Sequence, residues 1–286
     1  MRWKKKRLLY IIPLLLAAAI AFSYFENNAI GVTTFKVSSP KLPEGTGTYR
    51  IVQLSDVHSK WFGKNQQRLV RKVSRLKPDL IVVTGDLIDS RKYNNGASLV
   101  LMKQLVELVP VYYVTGNHEF GSNKFIGFKH ALDDMGVHVL RNRSELLQLG
   151  DGAIRIAGVD DPVFNKEADG DVDKINQYLD AALQDAEDRD VYTILLSHRP
   201  ELFEVYVQRQ IDLTFSGHAH GGQVRLPFIG GLVAPGQGFL PQYDAGRYEA
   251  EDSTMIVSRG LGNSIIPQRL FNRPEVVLLE LSRSSE

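Results

Sequence analysis

Leu80-Ile-Val-Val-Thr-Gly-Asp-Leu-Ile-Asp89 shows how this chain is built: a short apolar run ends in a polar cluster, which here holds a glycine and two carboxylates but elsewhere varies in composition. The same arrangement occurs five more times. Upstream, Arg50-Ile-Val-Gln-Leu54 runs into Ser55-Asp-Val-His58. Downstream, Val111-Tyr-Tyr-Val114 runs into Thr115-Gly-Asn-His-Glu119, and Ile154-Arg-Ile-Ala157 into Gly158-Val-Asp-Asp161. Tyr192-Thr-Ile-Leu-Leu196 then leads to Ser197-His-Arg-Pro200, and Leu213-Thr-Phe215 to Ser216-Gly-His218. Amphipathic stretches separate these strands: Asn65 to Leu76, with Leu69, Val73 and Leu76 at helical spacing, Ala97 to Val109, Phe125 to Met135, Val172 to Asp188 and, after Pro200, Glu201 to Gln210. Strands alternating with helices predict a layered α/β domain, and in such sheets function collects at the carboxyl ends of the strands. Thr254 to Ser258 and Glu275 to Glu280 read as terminal strands of a second sheet facing the first.

The ends of the chain set further bounds. Arg2, Lys4, Lys5, Lys6 and Arg7 precede an uncharged run from Leu8 to Phe25, long enough to cross a bilayer as a helix with its basic end in the cytoplasm. Ala17-Ala-Ala19 and Ala19-Ile-Ala21 resemble cleavage sites of a signal peptide, but no polar region precedes either, so an uncleaved anchor is the preferred reading. Either reading exports the rest of the chain. The expected organisation is therefore an anchor over 1–25, a linker over 26–48 with at most an edge strand at Val32 to Val37, and a domain over 49–286, giving a single-pass cell-membrane protein with an extracytoplasmic domain. Without the five N-terminal cations, 29 basic residues face 33 acidic ones. A net-acidic domain is a poor nucleic-acid partner.

The 286 residues include no cysteine, which excludes disulfides and thiolate metal sites; any metal must be held by imidazole, carboxylate or amide groups. Such groups sit at the strand ends. In Phe215-Ser-Gly-His-Ala-His-Gly-Gly-Gln223 the His218 and His220 side chains, two positions apart, can project to one side. Asp56 and His58 have the same spacing, Asp86 follows Gly85, Asn117 and His118 follow Gly116, and His198 ends the fifth strand. Each alone is ordinary turn chemistry. Together they form a set of oxygen and nitrogen donors suited to two divalent ions with one shared carboxylate.

On Asp56-Val-His58, Gly85-Asp-Leu-Ile-Asp89, Gly116-Asn-His-Glu119, His198 and Gly217-His-Ala-His220, the sequence resembles the calcineurin-like metallophosphoesterase superfamily, in the family's order and across residues 50 to 281. Within it the chain looks most like the membrane-anchored bacterial branch similar to UDP-2,3-diacylglucosamine pyrophosphatases, with further likeness in His220-Gly-Gly-Gln223, Leu226-Pro-Phe-Ile-Gly-Gly231 and Ser258-Arg-Gly-Leu-Gly262. The resemblance implies a four-layer α/β/β/α sandwich of two mixed sheets flanked by helices. It implies one metal on Asp56, His58, Asp86 and His220 and another on Asp86, Asn117, His198 and His218, with manganese expected first and iron or zinc as alternatives. Two such cations roughly 3.5 to 4 Å apart share a hydroxide that attacks phosphorus in line. His118 matches the family's non-ligand histidine, which touches the scissile phosphate and protonates the leaving group; Asn117, His118 and Arg199 are the expected substrate contacts.

The implied activity is hydrolysis of a phosphodiester, pyrophosphate or phosphomonoester, with a lipid-linked or nucleotide-sugar substrate at the membrane as the leading expectation. The alternatives are a broad phosphodiesterase on soluble nucleotides or envelope polymers, and a catalytically silent metal-binding sensor, which would have no need of His118. A metalloprotease or amidase lacks its His-Glu-x-x-His helix here. Asp89 is expected to orient His118 or a turn, Asp160 and Asp161 to start the turn at Pro162, and His130 and His138 to be structural. Glu119 stands where aspartate is also common and leaves the ligand set unchanged. Arg225 to Leu240 reads either as a lipid-facing lip or as a β-rich lid packed on the core. Arg259, Asn263, Gln268 and Arg269 are further candidate substrate donors. Oligomeric state is left open.

Overall fold

The computed structural model describes residues 2–164, 170–184, 190–263 and 267–284. After the N-terminal helix α1 (Arg2–Asn28) come the strands β1 (Gly31–Ser39), β2 (Tyr49–Leu54), β3 (Leu80–Thr84), β4 (Val111–Val114) and β5 (His138–Val139). Helices α2 (Gln67–Arg75), α3 (Gly96–Val106), α4 (Asn117–Gly121) and α5 (Phe125–Asp134) lie between them. The second half contributes β6 (Arg143–Leu149), β7 (Gly152–Gly158), β8 (Thr193–Leu196) and β9 (Leu213–Ser216), with α6 (Asp171–Ala182) and α7 (Phe203–Gln208). Two short ribbons follow, β10 (Arg225–Leu226) with β11 (Gly230–Gly231) and β12 (Val233–Ala234) with β13 (Gly238–Phe239). Strands β14 (Gly246–Ala250), β15 (Ser253–Val257) and β16 (Glu275–Arg283) complete the chain.

Two six-stranded mixed sheets result, in the orders β1-β16-β2-β3-β4-β5 and β14-β15-β9-β8-β7-β6. Alternation along each strand explains the layers. On β2 and β3, Val52, Leu54, Ile81 and Val83 pack against Leu69 and Val73 of α2, Leu101 and Leu105 of α3, and Phe128 and Leu132 of α5. The opposite faces, with Ile51, Leu80 and Val82, meet Ile154, Ile156, Ile194, Leu196 and Phe215 of the second sheet. That sheet's outer face, with Ala157, Leu195 and Met255, is covered by Ile175 and Leu179 of α6 and Phe203 and Tyr206 of α7. The architecture is the expected α/β/β/α sandwich.

Some elements fall elsewhere than the sequence suggests. The strand at Glu275 does not belong to the second sheet: β16 lies inside the first, antiparallel to β2 and parallel to β1. Its continuous apolar run explains this, because Val277, Leu279 and Leu281 face the sheet interface while Val276 and Leu278 face the helical side, as a strand buried on both faces requires. Segment 26–48 carries β1, whose nine residues all pair with β16. Helix α6 stops at Ala182, and residues 185–188 of the longer expected helix lie outside the described residues. Within α1, Tyr10–Asn28 is long and apolar enough to cross a membrane and is almost wholly exposed.

The last turns of α1 dock on the domain. Ser23 Oγ and Asn27 Nδ2 donate to Gln268 Oε1 at 2.6 and 2.9 Å, and the Arg269 N–H donates to Asn27 Oδ1 at 2.9 Å. The Asn272 N–H donates to Glu26 Oε2 at 3.2 Å, and Phe22 packs on Phe271 with ring centroids 5.7 Å apart. Three of the candidate substrate donors thus belong to the helix junction: Gln268 and Asn263 bond to α1 residues, and buried Arg269 donates to the carbonyls of Gly262 and Arg259. Arg259 rests against Glu275.

Candidate metal centre

The site forms where the carboxyl ends of β2, β3 and β4 in one sheet meet those of β8 and β9 in the other. Gln53 links the two sheets just beneath it, its Nε2 donating to Thr84 Oγ1 at 3.0 Å and to the Ser216 carbonyl at 2.8 Å. The turns leaving the strands are sharp. Asp56, His58, Asp86, His218 and His220 all have φ between 47° and 65°, a left-handed conformation that costs roughly 1–2 kcal/mol at each non-glycine residue. Strain of this kind concentrates at functional sites. Gly85, at φ 88°, lets the two sheets approach, since a Cβ there would stand 2.6 Å from His198 Nδ1 and 2.8 Å from the Gly116 nitrogen.

Two groups of donors converge and share Asp86: Asp56, His58, Asp86 and His220 form one, and Asp86, His198 and His218 the other, the donor atoms of each lying within 4.8 Å of one another. Asp86 Oδ2 lies 3.6 Å from His58 Nε2 and 3.4 Å from His198 Nε2. His220 Nε2 is 3.1 Å from His58 Nε2 and 3.3 Å from Asp56 Oδ1, and His218 Nδ1 is 3.1 Å from His198 Nε2. Asn117 Oδ1 is buried without a hydrogen-bond partner, as an amide oxygen awaiting a cation would be. His198 Nδ1 contacts the Thr84 carbonyl at 2.7 Å; a carbonyl only accepts, so this nitrogen carries the proton and Nε2 faces the cluster.

Electrostatics agree with that geometry. Burial holds His58 down to about 4 and keeps His218 and His220 well below the imidazole range, so all three rings are neutral, the form that ligates. At His198 burial opposes the charged ring, but Asp86, through its charge and a hydrogen bond, and then Asp56 raise it to about 10. Burial lifts Asp56 to about 6, whereas Asp86 is held well below the carboxylate range despite its burial, chiefly by His198. Facing lone pairs around buried carboxylates demand positive charge, and this donor set fits two divalent cations.

His118 stands beside the cluster, edge-on to His58 at 4.5 Å between centroids. Its Nδ1 accepts the Ser90 N–H at 3.1 Å, which places the proton of the neutral ring on Nε2. Asp89 Oδ1 accepts the Arg91 and Lys92 N–H groups at 2.7 and 3.2 Å and lies 3.8 Å from His118 Nδ1, so it closes a turn and makes no hydrogen bond to the ring. Glu119 is buried, and its carboxylate accepts the N–H groups of Asp86, Leu87, Ile88 and Gly116 at 2.9, 2.8, 3.2 and 2.7 Å. Arg199 donates from Nε and Nη2 to Asp161 at 2.6 and 3.0 Å and from Nη1 to Glu201 at 3.3 Å. Its guanidinium is committed to those carboxylates, and Asp161 is its ion-pair partner as well as a turn residue. Asp160 likewise pairs with Arg141. His138 stacks on Tyr112 and contacts Glu145 at 2.7 Å.

Comparison with known proteins fits this arrangement. A calcineurin-like phosphoesterase family model matches residues 49–222. The uncharacterized metallophosphoesterase YkuE of Bacillus subtilis (strain 168) is 31% identical over 92% of this chain and 89% of its own, and an uncharacterized metallophosphoesterase of Aquifex aeolicus (strain VF5) is 30% identical over 91% and 95%. A zebrafish (Danio rerio) protein called transmembrane protein with metallophosphoesterase domain is 29% identical over 96% of this chain and 63% of its own. Among solved structures, the TT1561 protein of Thermus thermophilus shares the fold, with a TM-score of 0.50 and 12% identity over 75% of this chain and 91% of that one. The family match spans more than half of the chain and ends within the loop that carries His218 and His220, so the chain belongs to the calcineurin-like phosphoesterases, metal-dependent hydrolases of phosphoric esters.

Proposed function

We propose that the chain hydrolyses a phosphodiester, pyrophosphate or phosphomonoester bond next to a membrane, with Asp56, His58, Asp86 and His220 holding one divalent cation and Asp86, Asn117, His198 and His218 a second. The observation that carries this reading is the position of Asp86 Oδ2, 3.6 Å from one imidazole nitrogen and 3.4 Å from another in the two donor groups. Bound there, manganese, iron or zinc would supply an activated water and neutralise phosphoryl charge.

The protein's own groups supply the rest. His118, with Nδ1 engaged by Ser90, keeps an N–H on Nε2 that hydrogen-bonds the departing oxygen and stabilises the negative charge developing there. The Asn117 amide brings an oxygen without negative charge, which leaves the site more attractive to an anionic ester. Neutral His58, His218 and His220 do the same. The exposed apolar helix ending at the domain supports a single-pass anchor, and the basic residues Arg2, Lys4, Lys5, Lys6 and Arg7 before it support an extracytoplasmic domain; a site tethered to a bilayer in this way suits a lipid-linked substrate.

The test is metal-dependent turnover of the full chain in detergent micelles. Protein stripped with a chelator and given manganese is compared on a chromogenic phosphodiester, a phosphomonoester and a nucleotide-lipid pyrophosphate. Fastest turnover on the pyrophosphate supports the lipid-linked reading. A preference for the soluble diester moves the assignment to a broad phosphodiesterase. Two bound manganese ions without turnover on any of the three would sink the hydrolase mechanism proposed for His118.

A further inference from the structure

Directly after His220 the chain forms the two ribbons β10–β11 and β12–β13, with large apolar side chains outside the core at the turn of the first and at the open end of the second. Phe228 is 108% exposed, Ile229 61%, Phe239 71% and Leu240 53%. This is not a loose loop. The Leu232 N–H donates to the carbonyls of Gly222 and Val224 at 3.1 and 2.9 Å, the Leu240 N–H to Leu232 at 2.8 Å, and Asp244 accepts from the Gly231 N–H and from Arg225 Nη1. The backbone is satisfied while the largest side chains point away from the protein; of the ribbon residues, Ala234 joins the core beneath. A lid packed onto the core would have buried those aromatic rings instead. Several large apolar side chains left exposed on a structured element mark an interaction surface.

The position of the ribbons identifies the partner. Val224 bridges Leu270, and the Arg225 N–H donates to the Leu270 carbonyl at 3.0 Å. Leu270 lies within the segment 268–272 that receives the last turns of α1, through Gln268, Arg269 and Asn272 and through the Phe22–Phe271 stack. The ribbons are thus fixed to the segment from which the apolar helix leaves the domain. Phe271 is itself 51% exposed, which continues the apolar surface between helix and ribbons. Asn272 completes the connection, donating from Nδ2 to the carbonyls of His220 and Gln223 at 2.7 and 2.9 Å.

We propose that the β10–β13 ribbons are a second membrane contact, with Phe228, Ile229, Phe239 and Leu240 entering the headgroup region of the bilayer that α1 crosses, so that the loop from His218 to Gln223 is held at the lipid surface. Aromatic and aliphatic side chains on a short polar-backed element suit that interfacial layer. The proposal rests on α1 being a membrane span and is independent of which phosphate ester is cleaved.

The chain contains no cysteine, so single labels can be placed cleanly. Full-length F228C and F239C, each carrying an environment-sensitive fluorophore, are reconstituted into phosphatidylcholine–phosphatidylglycerol vesicles, together with L16C in the exposed part of α1 and L146C on β6 at the far edge of the second sheet. The expected result is a blue shift at 228 and 239, quenching by lipids spin-labelled near the headgroup and protection from aqueous iodide, with L146C open to iodide. Labels at 228 and 239 that follow L146C overturn the proposal. Protection from iodide without quenching by lipid would assign positions 228 and 239 to a contact with a second protein copy and also overturn it. An L16C label open to iodide removes the membrane-span reading, and the proposal with it, without touching the hydrolase assignment.

Discussion

The Glu119 carboxylate accepts the N–H of Asp86 at 2.9 Å and, through the same oxygen, the N–H of Gly116 at 2.7 Å. One buried side chain thereby fixes the turns that follow β3 and β4. E119Q replaces one acceptor oxygen by a donor facing N–H groups, and a buried unsatisfied group costs about 1–3 kcal/mol. A lowered urea midpoint and weaker manganese retention are expected for E119Q, measured by denaturation and metal analysis. An unchanged midpoint would show that the clamp contributes nothing.

Asp86 serves both donor groups, so D86A should lose both cations together, whereas N117A, at the edge of one group, should lose at most one. Metal content per chain after dialysis, read by mass spectrometry, separates the two outcomes. Retention of one equivalent by D86A would contradict the shared role.

Removing the cations leaves the lone pairs of neutral His58, His218 and His220 facing buried carboxylates and the five left-handed residues uncompensated. Chelation should lower the thermal midpoint, and excess manganese should restore it by mass action on the folded state. Scanning calorimetry with and without chelator measures this; identical midpoints would mean that the cations do not couple to the fold.

His118 touches neither Asp56 nor His220 among its hydrogen-bond partners, so H118A should keep both cations and lose about 10²–10³-fold in turnover. The loss should be greatest for poor leaving groups, whose departing oxygen develops the most negative charge. An equal loss on a nitrophenyl ester and on an alkyl ester would argue against stabilisation of the departing oxygen.

G85A puts a Cβ against His198 Nδ1 and the Gly116 nitrogen at a backbone φ of 88°. Overpacking costs roughly 1–3 kcal/mol and the left-handed conformation about 1–2 more. Destabilisation with loss of metal is expected, in contrast to G127A in α5, where no atom lies within 4 Å of the added carbon.

The sequence carried much of this arrangement. Six strand ends with polar clusters are visible as runs such as Leu80–Val83 followed by Gly85 and Asp86, because a strand and its turn are local features. What it concealed depends on distant neighbours. Strand β6 reads as polar, with Arg143, Glu145 and Gln148, because it is an edge strand with mostly exposed or half-buried side chains. The place of β16 depends on pairing with β1 and β2, far away in the chain. Arg269 reads as a substrate donor because carbonyl acceptors such as those of Gly262 and Arg259 have no signature in side-chain identity. The engagement of Arg199 by Asp161 requires knowing that the ends of β7 and β8 are adjacent. Gly85 and Gly217 hint at tight turns; the left-handed conformations of Asp56 and His58 are not readable from their types.

Because β16 separates β1 from β2 and is the partner of β1 along all nine of its residues, the order of synthesis matters. The N-terminal helix and β1 leave the ribosome first, yet β1 has nothing to pair with until the final strand emerges. The segment 268–272, which grips α1, is likewise made near the end. Through most of translation, then, the helix lacks its contacts with Gln268, Arg269, Phe271 and Asn272 and can be held to the half-built domain only at its last residues, by Lys60 on the Asn27 carbonyl and Arg68 on the Asn28 carbonyl. The helix therefore gains most of its contacts with the domain late, and the closing of β16 between β1 and β2 completes the pairing that sets its orientation. A nascent chain arrested before residue 275 should carry β1 unprotected, and release of the last strand should dock helix and domain in one late step.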